Sequence, residues 1–208
     1  MRTLMCSLVA SAVLALGSAA DAASFRFDTD PFAGSNASDP GRQVVGGEEF
    51  IAFDIANDVF SLESTVFGIA GTQINFFNGL AGAIPSEGVN VIVLQTFDND
   101  GDVNTPFAAG TAANLIADQV TTSAPGFFIY FNSNLNVPRL VFSQDLSDNT
   151  ADLKILFRLT NFEGDPGKLQ IPSFSASNFE LTDVPEPATL ALLALGMACG
   201  LRRARRIG

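Results

Sequence analysis

Three carboxylates lie close together in one short polar segment, Asp98-Asn99-Asp100-Gly101-Asp102-Val103-Asn104. Side chains at alternate positions of a loop can turn toward one point, and carboxylate and amide oxygens suit a hard cation such as Ca²⁺. The sequence therefore predicts Asp98, Asp100, Asp102 and Asn104 as calcium ligands. Calcium is the one cofactor that the sequence suggests.

The same segment also has a purely structural interpretation. It lacks the spacing of an EF-hand, because with Gly101 at the sixth position the first and twelfth positions fall on Thr96 and Phe107, where Asp and Glu are required. Asp, Asn and Gly are also the residues that turns prefer for backbone reasons. An acidic turn between a strand and a helix is the alternative to a calcium site.

Nucleophilic catalysis has little support in the composition. The chain has no His, and its two cysteines, Cys6 and Cys199, lie in apolar segments near the two ends. The central part therefore lacks the residues for a Ser-His-Asp or Cys-His nucleophile and for a His-based metal site. We predict that the protein is not an enzyme. Paired carboxylates of the glycosidase kind leave no local pattern, so a carboxylate-based glycan hydrolase remains an alternative.

The elements that must position these residues lie between 23 and 183, where the sequence predicts one mostly β domain. Short apolar runs are separated by turn residues, and 151–162 shows the cleanest alternation. Residues 72–77 read as a strand ending at an Asn78-Gly79 turn, and 111–120 as a helix capped by Thr111. The pattern predicts a single antiparallel β-sandwich-like domain with one short helix.

The aromatic composition predicts what fills the core of this domain. The chain has nineteen Phe, one Tyr (Tyr130) and no Trp. Most of the Phe residues stand at alternate positions of predicted strands, so we expect them to point inward. Exposed aromatic platforms for sugars usually employ Trp and Tyr, which are almost absent here.

The N-terminus has the three parts of a secretory signal peptide, predicted over 1–22. Arg2 is followed by an apolar stretch over 4–16, and Ala20-Asp21-Ala22 forms a small-residue cleavage site with Ala20 and Ala22 at its key positions. Cleavage after Ala22 predicts a mature chain that begins at Ala23. Cys6 lies before the apolar stretch is complete, which argues against the alternative of a lipoprotein.

The C-terminal segment, 184–208, contains a single hydrophobic helix predicted at about 188–201. The helix has no charged residue, so it has no polar face to present to water. Its fourteen residues span roughly 21 Å, short of the ~30 Å hydrocarbon core, which predicts a marginal transmembrane anchor. The arginines that follow it place the C-terminus in the cytoplasm; they are Arg202, Arg203, Arg205 and Arg206. A permanent tail anchor and a buried core helix are the alternatives.

Pro185-Glu186-Pro187 stands on the outer side of this helix, where the prolines stop it. The order of a Pro-Glu-Pro motif, one short apolar helix and an arginine cluster resembles the PEP-CTERM sorting signal of Gram-negative bacteria. The resemblance implies processing by an exosortase, a transient hold in the inner membrane, and a final location at the cell surface or outside the cell. It also implies an association with exopolysaccharide and biofilm production.

Charge narrows the partners of the exported part. The chain has eleven basic and twenty-two acidic residues; without the five basic and one acidic residue outside 23–187, six oppose twenty-one, a formal charge of −15. Such a surface excludes nucleic acid and anionic lipid as partners. We therefore expect a non-catalytic cell-surface or extracellular-matrix protein. A calcium-assisted polysaccharide-binding module and the carboxylate-based hydrolase are the alternatives.

Overall fold

The computed structural model describes residues 22–37, 41–98, 100, 102 and 104–183. The strands of this part are β1 (Ser24–Phe27), β2 (Val44–Val45), β3 (Glu49–Ile51), β4 (Val59–Glu63), β5 (Phe76–Gly79), β6 (Val91–Leu94), β7 (Gly126–Asn132), β8 (Val137–Ser143), β9 (Leu153–Leu159) and β10 (Phe179–Thr182). The helices are α1 (Ala109–Ala117), α2 (Gly164–Lys168) and three 3-10 turns at Ala81–Ala83, Ile171–Ser173 and Ala176–Asn178. The mostly β prediction is confirmed.

The strands form two sheets. The larger has the order β2-β9-β8-β7-β6-β5, with β3 also paired to β9, and the smaller has the order β1-β4-β10. Only the β7–β8 and β8–β9 pairs are antiparallel; the other six pairs of the described residues are parallel. The antiparallel prediction is therefore wrong for most pairs. Side chains alternate between the two faces of a sheet whether its strands are parallel or antiparallel. Parallel strands also need long connections, and local sequence patterns do not reveal which strands those connections join.

Three local predictions also require correction. The helix predicted from Thr111 begins earlier, at Ala109, and its N-cap is Ala108, which makes no side-chain capping bond. A second short helix, α2, was not predicted. The Asn78-Gly79 turn is wrong, because both residues belong to β5 and pair with Val93 and Leu94 of β6.

One hydrophobic cluster joins the two sheets. It combines Phe60 and Leu62 of β4 with Phe157 and Leu159 of β9 and with side chains of β7, β8 and β10. The ring centroids of Phe60 and Phe157 are 5.5 Å apart. A second cluster lies on the opposite face of the larger sheet, where Ala112 and Ile116 of α1 pack over β6 and β7. The central strands are thus covered on both faces.

Phenylalanine supplies most of the large core side chains, as predicted. Twelve of the nineteen Phe residues are buried, and six more are partly buried and packed against the core. Phe50 is the exception, with 65% of its surface exposed. Each Phe side chain that is fully buried stabilises the fold by roughly 1.5–3 kcal/mol. The core is therefore the main source of stability in a domain that contains no cysteine.

The three strands of the smaller sheet all run in the same direction. Its three strands are parallel, so all of them begin at one edge and all end at the opposite edge. Ser24 pairs with Val59 at the first edge, and Thr182 pairs with Glu63 at the second. The chain therefore enters the domain at one edge of this sheet and leaves it at the other.

Neither α-helix in the described part of the chain has the length and apolar character that a membrane span requires. The predicted anchor at 188–201 and the arginines that follow it lie outside the described residues.

Candidate functional site

The acidic loop, residues 98–104, joins β6 to α1, as its position between an apolar run and a helix predicted. Asp100 Oδ1 accepts a hydrogen bond from the Asp102 backbone N–H at 2.8 Å, and Asp102 Oδ1 accepts one from the Asn104 backbone N–H at 2.9 Å. The Thr105 hydroxyl also donates to Asp100 Oδ2 at 3.1 Å. These are the local bonds by which Asp shapes a turn. The geometry therefore favours the acidic-turn interpretation.

Asp98 is held by a different part of the fold. Its Oδ2 accepts a hydrogen bond from the Phe107 backbone N–H at 3.2 Å, and that N–H also donates to Ser133 Oγ at 2.8 Å. Hydrogen bonding by the Ser133 hydroxyl, followed by that of Phe107, lowers the pKa of Asp98 below its usual value. The shared Phe107 N–H holds Asp98 at the start of the loop close to Ser133, between β7 and β8.

The four predicted calcium ligands lie in one loop but do not form one cluster among the described residues. Asp98, Asp100, Asp102 and Asn104 are described, whereas 99, 101 and 103 are not. Among the described residues, no group of three or more His, Cys, Asp or Glu side chains is arranged to hold a metal ion. The calcium site therefore remains a prediction.

A small cleft beside the acidic loop contains residues that the sequence did not connect with it. Its volume is about 250 Å³. The Lys168 ammonium at the end of α2 lies 5.2 Å from the centre of the Phe131 ring, within the range of a cation–π contact. Asp98 and Asp102 line the same cleft. It thus combines carboxylates with one cation, and this cation covers the buried ring of Phe131.

A group of three charged side chains that the sequence did not single out lies beside β3. Glu48, just before β3, accepts hydrogen bonds from Arg139 of β8 and Arg158 of β9 on a single oxygen, Oε1. The Glu48 side chain is only 8% exposed. The Arg158 guanidinium also lies 4.4 Å from the centre of the Phe50 ring, which explains the position of the one exposed Phe. The group fastens β3 to the larger sheet.

Two opposing effects act on the pKa of Glu48. Burial raises the pKa of Glu48, but hydrogen bonds from its own backbone and from Arg158 and Arg139 outweigh burial and lower that pKa below its usual value. The Nε atoms of both arginines are buried and make no hydrogen bond within the described residues. Two cations share one anion, so the group keeps a local positive charge on a domain that is otherwise strongly acidic.

The predicted processing residues have mixed places in the structure. Ala22 is described and exposed, and it directly precedes Ala23 and β1. Ala20, the Pro185-Glu186-Pro187 motif and the four C-terminal arginines lie outside the described residues. The signal-peptide cleavage and the C-terminal processing therefore remain predictions.

The C-terminal sequence is nevertheless matched by a known motif. Residues 183–206 match the PEP-CTERM protein-sorting motif. No curated protein and no solved structure matches the chain. The motif begins at Asp183, the residue after the end of β10. It marks an exported protein processed by an exosortase, with a transient membrane anchor and a final place at the cell surface or outside the cell. This chain is therefore a protein that bears a PEP-CTERM sorting signal.

Proposed function

We propose that this protein is a non-catalytic component of the cell surface or the extracellular matrix, sorted in connection with exopolysaccharide or biofilm. One observation carries the proposal. β10 ends at Thr182 and pairs with β4 along its whole length, and the sorting motif begins at the next residue. Every described strand and helix therefore precedes the motif. Removing the motif leaves this domain with all of its strand pairings.

Two properties of the domain support this role. A formal charge of −15 over 23–187 keeps neighbouring copies apart and favours solubility outside the cell. Eighteen of the nineteen Phe residues are buried or packed against the core, so their surface contributes to stability. Both properties suit a protein that must persist outside the cell without a disulfide.

The test follows the full-length protein in a host that has an exosortase. The variant Glu186→Gln changes the motif, and Glu180→Gln, an exposed position on β10, is the matched control. We expect wild type and Glu180→Gln outside the inner membrane with a mass that lacks the arginine cluster, and Glu186→Gln retained in the membrane at higher mass. Wild-type protein outside the cell with an intact arginine cluster contradicts the processing step.

The matrix role needs a separate measurement. Wild-type cells are fractionated into medium, surface and exopolysaccharide matrix, and the protein is followed by quantitative immunoblotting. We expect co-fractionation with the surface or the matrix, and reduced matrix cohesion when the gene is deleted. Wild-type protein found only in the cytoplasm contradicts the proposal.

A second candidate is a calcium-assisted polysaccharide-binding module. The observation that favours it is the cleft of the acidic loop, where Asp98 and Asp102 lie beside Lys168 and the Phe131 ring. Host polysaccharide on a solid support should retain the exported protein with calcium and release it with a chelator. The variant Asp102→Asn should lose this retention, and Asp118→Asn, an exposed acid at the end of α1, should keep it. No retention of wild type in either condition rejects this candidate.

A further inference from the structure

Asp58 is a buried acid at the edge where the smaller sheet begins. Its surface is 6% exposed, and the ion pairs of the described residues do not include it. Its Oδ2 accepts a hydrogen bond from the Asp54 backbone N–H at 2.8 Å, and its Oδ1 accepts one from the Ala23 backbone N–H at 2.8 Å. A carboxylate removed from water needs such bonds or a cation. Asp58 has two backbone donors and no cation within the described chain.

The second donor is the nitrogen at which the predicted signal-peptide cleavage occurs. Cleavage after Ala22 breaks the bond between the Ala22 carbonyl carbon and the Ala23 nitrogen. Water is added: the carbonyl becomes a carboxylate on the released peptide, and the nitrogen becomes the α-amine of the mature chain. Ala22 and Ala23 are both exposed, so neither residue is covered by the domain.

The new amine has little freedom to leave Asp58. The Ala23 carbonyl accepts a hydrogen bond from the Val59 backbone N–H at 3.0 Å, and Ser24 pairs with Val59 in the sheet. On the other side, the Asn178 side chain donates to the carbonyls of Ile55 and Asp58 at 2.7 and 3.1 Å. These contacts hold the starts of all three parallel strands together. The position of the Ala23 nitrogen is therefore set by the sheet.

We propose that signal-peptide removal after Ala22 creates an ion pair between the N-terminal ammonium of Ala23 and the carboxylate of Asp58. An α-amine is largely protonated near neutral pH, so cleavage replaces a neutral donor by a cation at the same place. Charge-assisted hydrogen bonds are roughly twice as strong as neutral ones. The mature domain is therefore more stable than the same domain with its N-terminus extended. This inference does not depend on the ligand of the domain or on the C-terminal motif.

The test uses the full-length gene, exported and purified from a Gram-negative host. Intact mass should place the wild-type N-terminus at Ala23. A variant with one Ser inserted between Ala22 and Ala23 keeps the Ala23 amide as a donor but moves the ammonium by about 3.8 Å along the chain. We expect its Tm to be lower by about 2–4 °C. An N-terminus elsewhere than Ala23, or an unchanged Tm, overturns the proposal.

The insertion is repeated in two further backgrounds. In the Asp58→Asn background it should no longer change the Tm, because the carboxylate is gone. In the Asp54→Asn background, which removes a neighbouring exposed acid, it should still lower the Tm. An equal effect of the insertion in all three backgrounds contradicts the ion pair.

A chemical measurement covers the case in which Asp58→Asn does not fold. The α-amine of the exported protein is acylated near neutral pH, and the N-terminal peptide is followed by mass spectrometry. We expect the wild-type amine to react several-fold more slowly than that of the insertion variant, because an ion-paired ammonium must first separate and lose its proton. Equal rates overturn the proposal.

Discussion

Glu48 and the acidic loop use the same functional group in opposite ways. Glu48 is nearly buried and receives two arginines on one oxygen, whereas Asp100 and Asp102 are exposed and accept hydrogen bonds from the turn that they belong to. The cluster of acids looks like a site in the sequence, and the single acid does not. The difference teaches that the partners of a carboxylate, rather than the local density of carboxylates, decide what it contributes.

The largest effect should come from removing the buried acid. In Glu48→Gln the two arginines lose their shared anion and repel each other, and we expect a loss of about 2–3 kcal/mol, just below the range for fully buried pairs. This corresponds to a fall in Tm on the order of 5–10 °C. Glu49→Gln, at an exposed neighbouring position, should change stability by less than about 0.5 kcal/mol. If thermal unfolding shows that Glu48→Gln and Glu49→Gln lose the same stability, the special role of Glu48 is contradicted.

The stabilisation that Glu48 contributes should depend on pH. The pKa of folded Glu48 is lowered from 4.5, so the unfolded chain takes up the proton first as the pH falls. The stabilisation is therefore complete above pH 4.5 and is lost as the pH falls through the folded-state pKa. We expect the Tm difference between wild type and Glu48→Gln to narrow below that pH. A constant difference down to the lowest pH at which both proteins fold contradicts this assignment.

Adding calcium tests whether the acidic loop binds this ion. The calcium prediction expects a rise in stability of about 1.4 kcal/mol when the free ion is at ten times its Kd. The rise should be absent in Asp102→Asn and preserved in Asp118→Asn. Differential scanning calorimetry with calcium and with a chelator measures it. No rise in wild type at millimolar calcium leaves the acidic-turn interpretation alone.

The smallest effects should come from conservative changes in the loop without calcium. Asp102→Asn keeps an oxygen that can accept from the Asn104 backbone N–H, so we expect a change below about 0.5 kcal/mol. Asp102→Ala removes that acceptor, and its cost should reach about 0.5–1.5 kcal/mol. Urea unfolding resolves the two. A larger loss for Asn than for Ala contradicts the backbone role.

The sequence predicts the strands of this domain better than their arrangement. Alternation over 151–162 identifies β9 (Leu153–Leu159), although its burial does not alternate strictly, because Ile155, Leu156 and Phe157 are all buried. It contains no information on direction, so the parallel sheet of β1, β4 and β10 was missed. Asn78 shows the same limit: the sequence predicts a turn there, but Asn78 belongs to β5, and its side-chain nitrogen lies within hydrogen-bond distance of the carbonyls of Ile171, Pro172 and Phe174.

Helix α2 was missed for a different reason. Its five residues include Gly164, Pro166 and Gly167, all poor helix formers by intrinsic propensity. Gly167 is required by packing, since a Cβ there would lie 1.9 Å from the Phe162 carbonyl oxygen. Tertiary contact therefore overrides local propensity.

The charged sites show where sequence reasoning ends. The acidic loop was found because its residues are adjacent, whereas Glu48 meets Arg139 and Arg158 only after β3, β8 and β9 have assembled. The contact between Asp58 and Ala23 likewise needs the register of β1 on β4. Adjacent chemistry is visible in a sequence; chemistry assembled by strand pairing is not.

The direction of the smaller sheet has a mechanical consequence. Its chain enters at the start of β1 and leaves at the end of β10, and both strands flank β4. If the C-terminal end is tethered and the N-terminal end is pulled, the force runs along the strands rather than across them. The hydrogen bonds of a strand pair then resist together instead of opening one after another. Tension between the two ends therefore meets this sheet in shear, the loading geometry in which a β-sheet resists extension best.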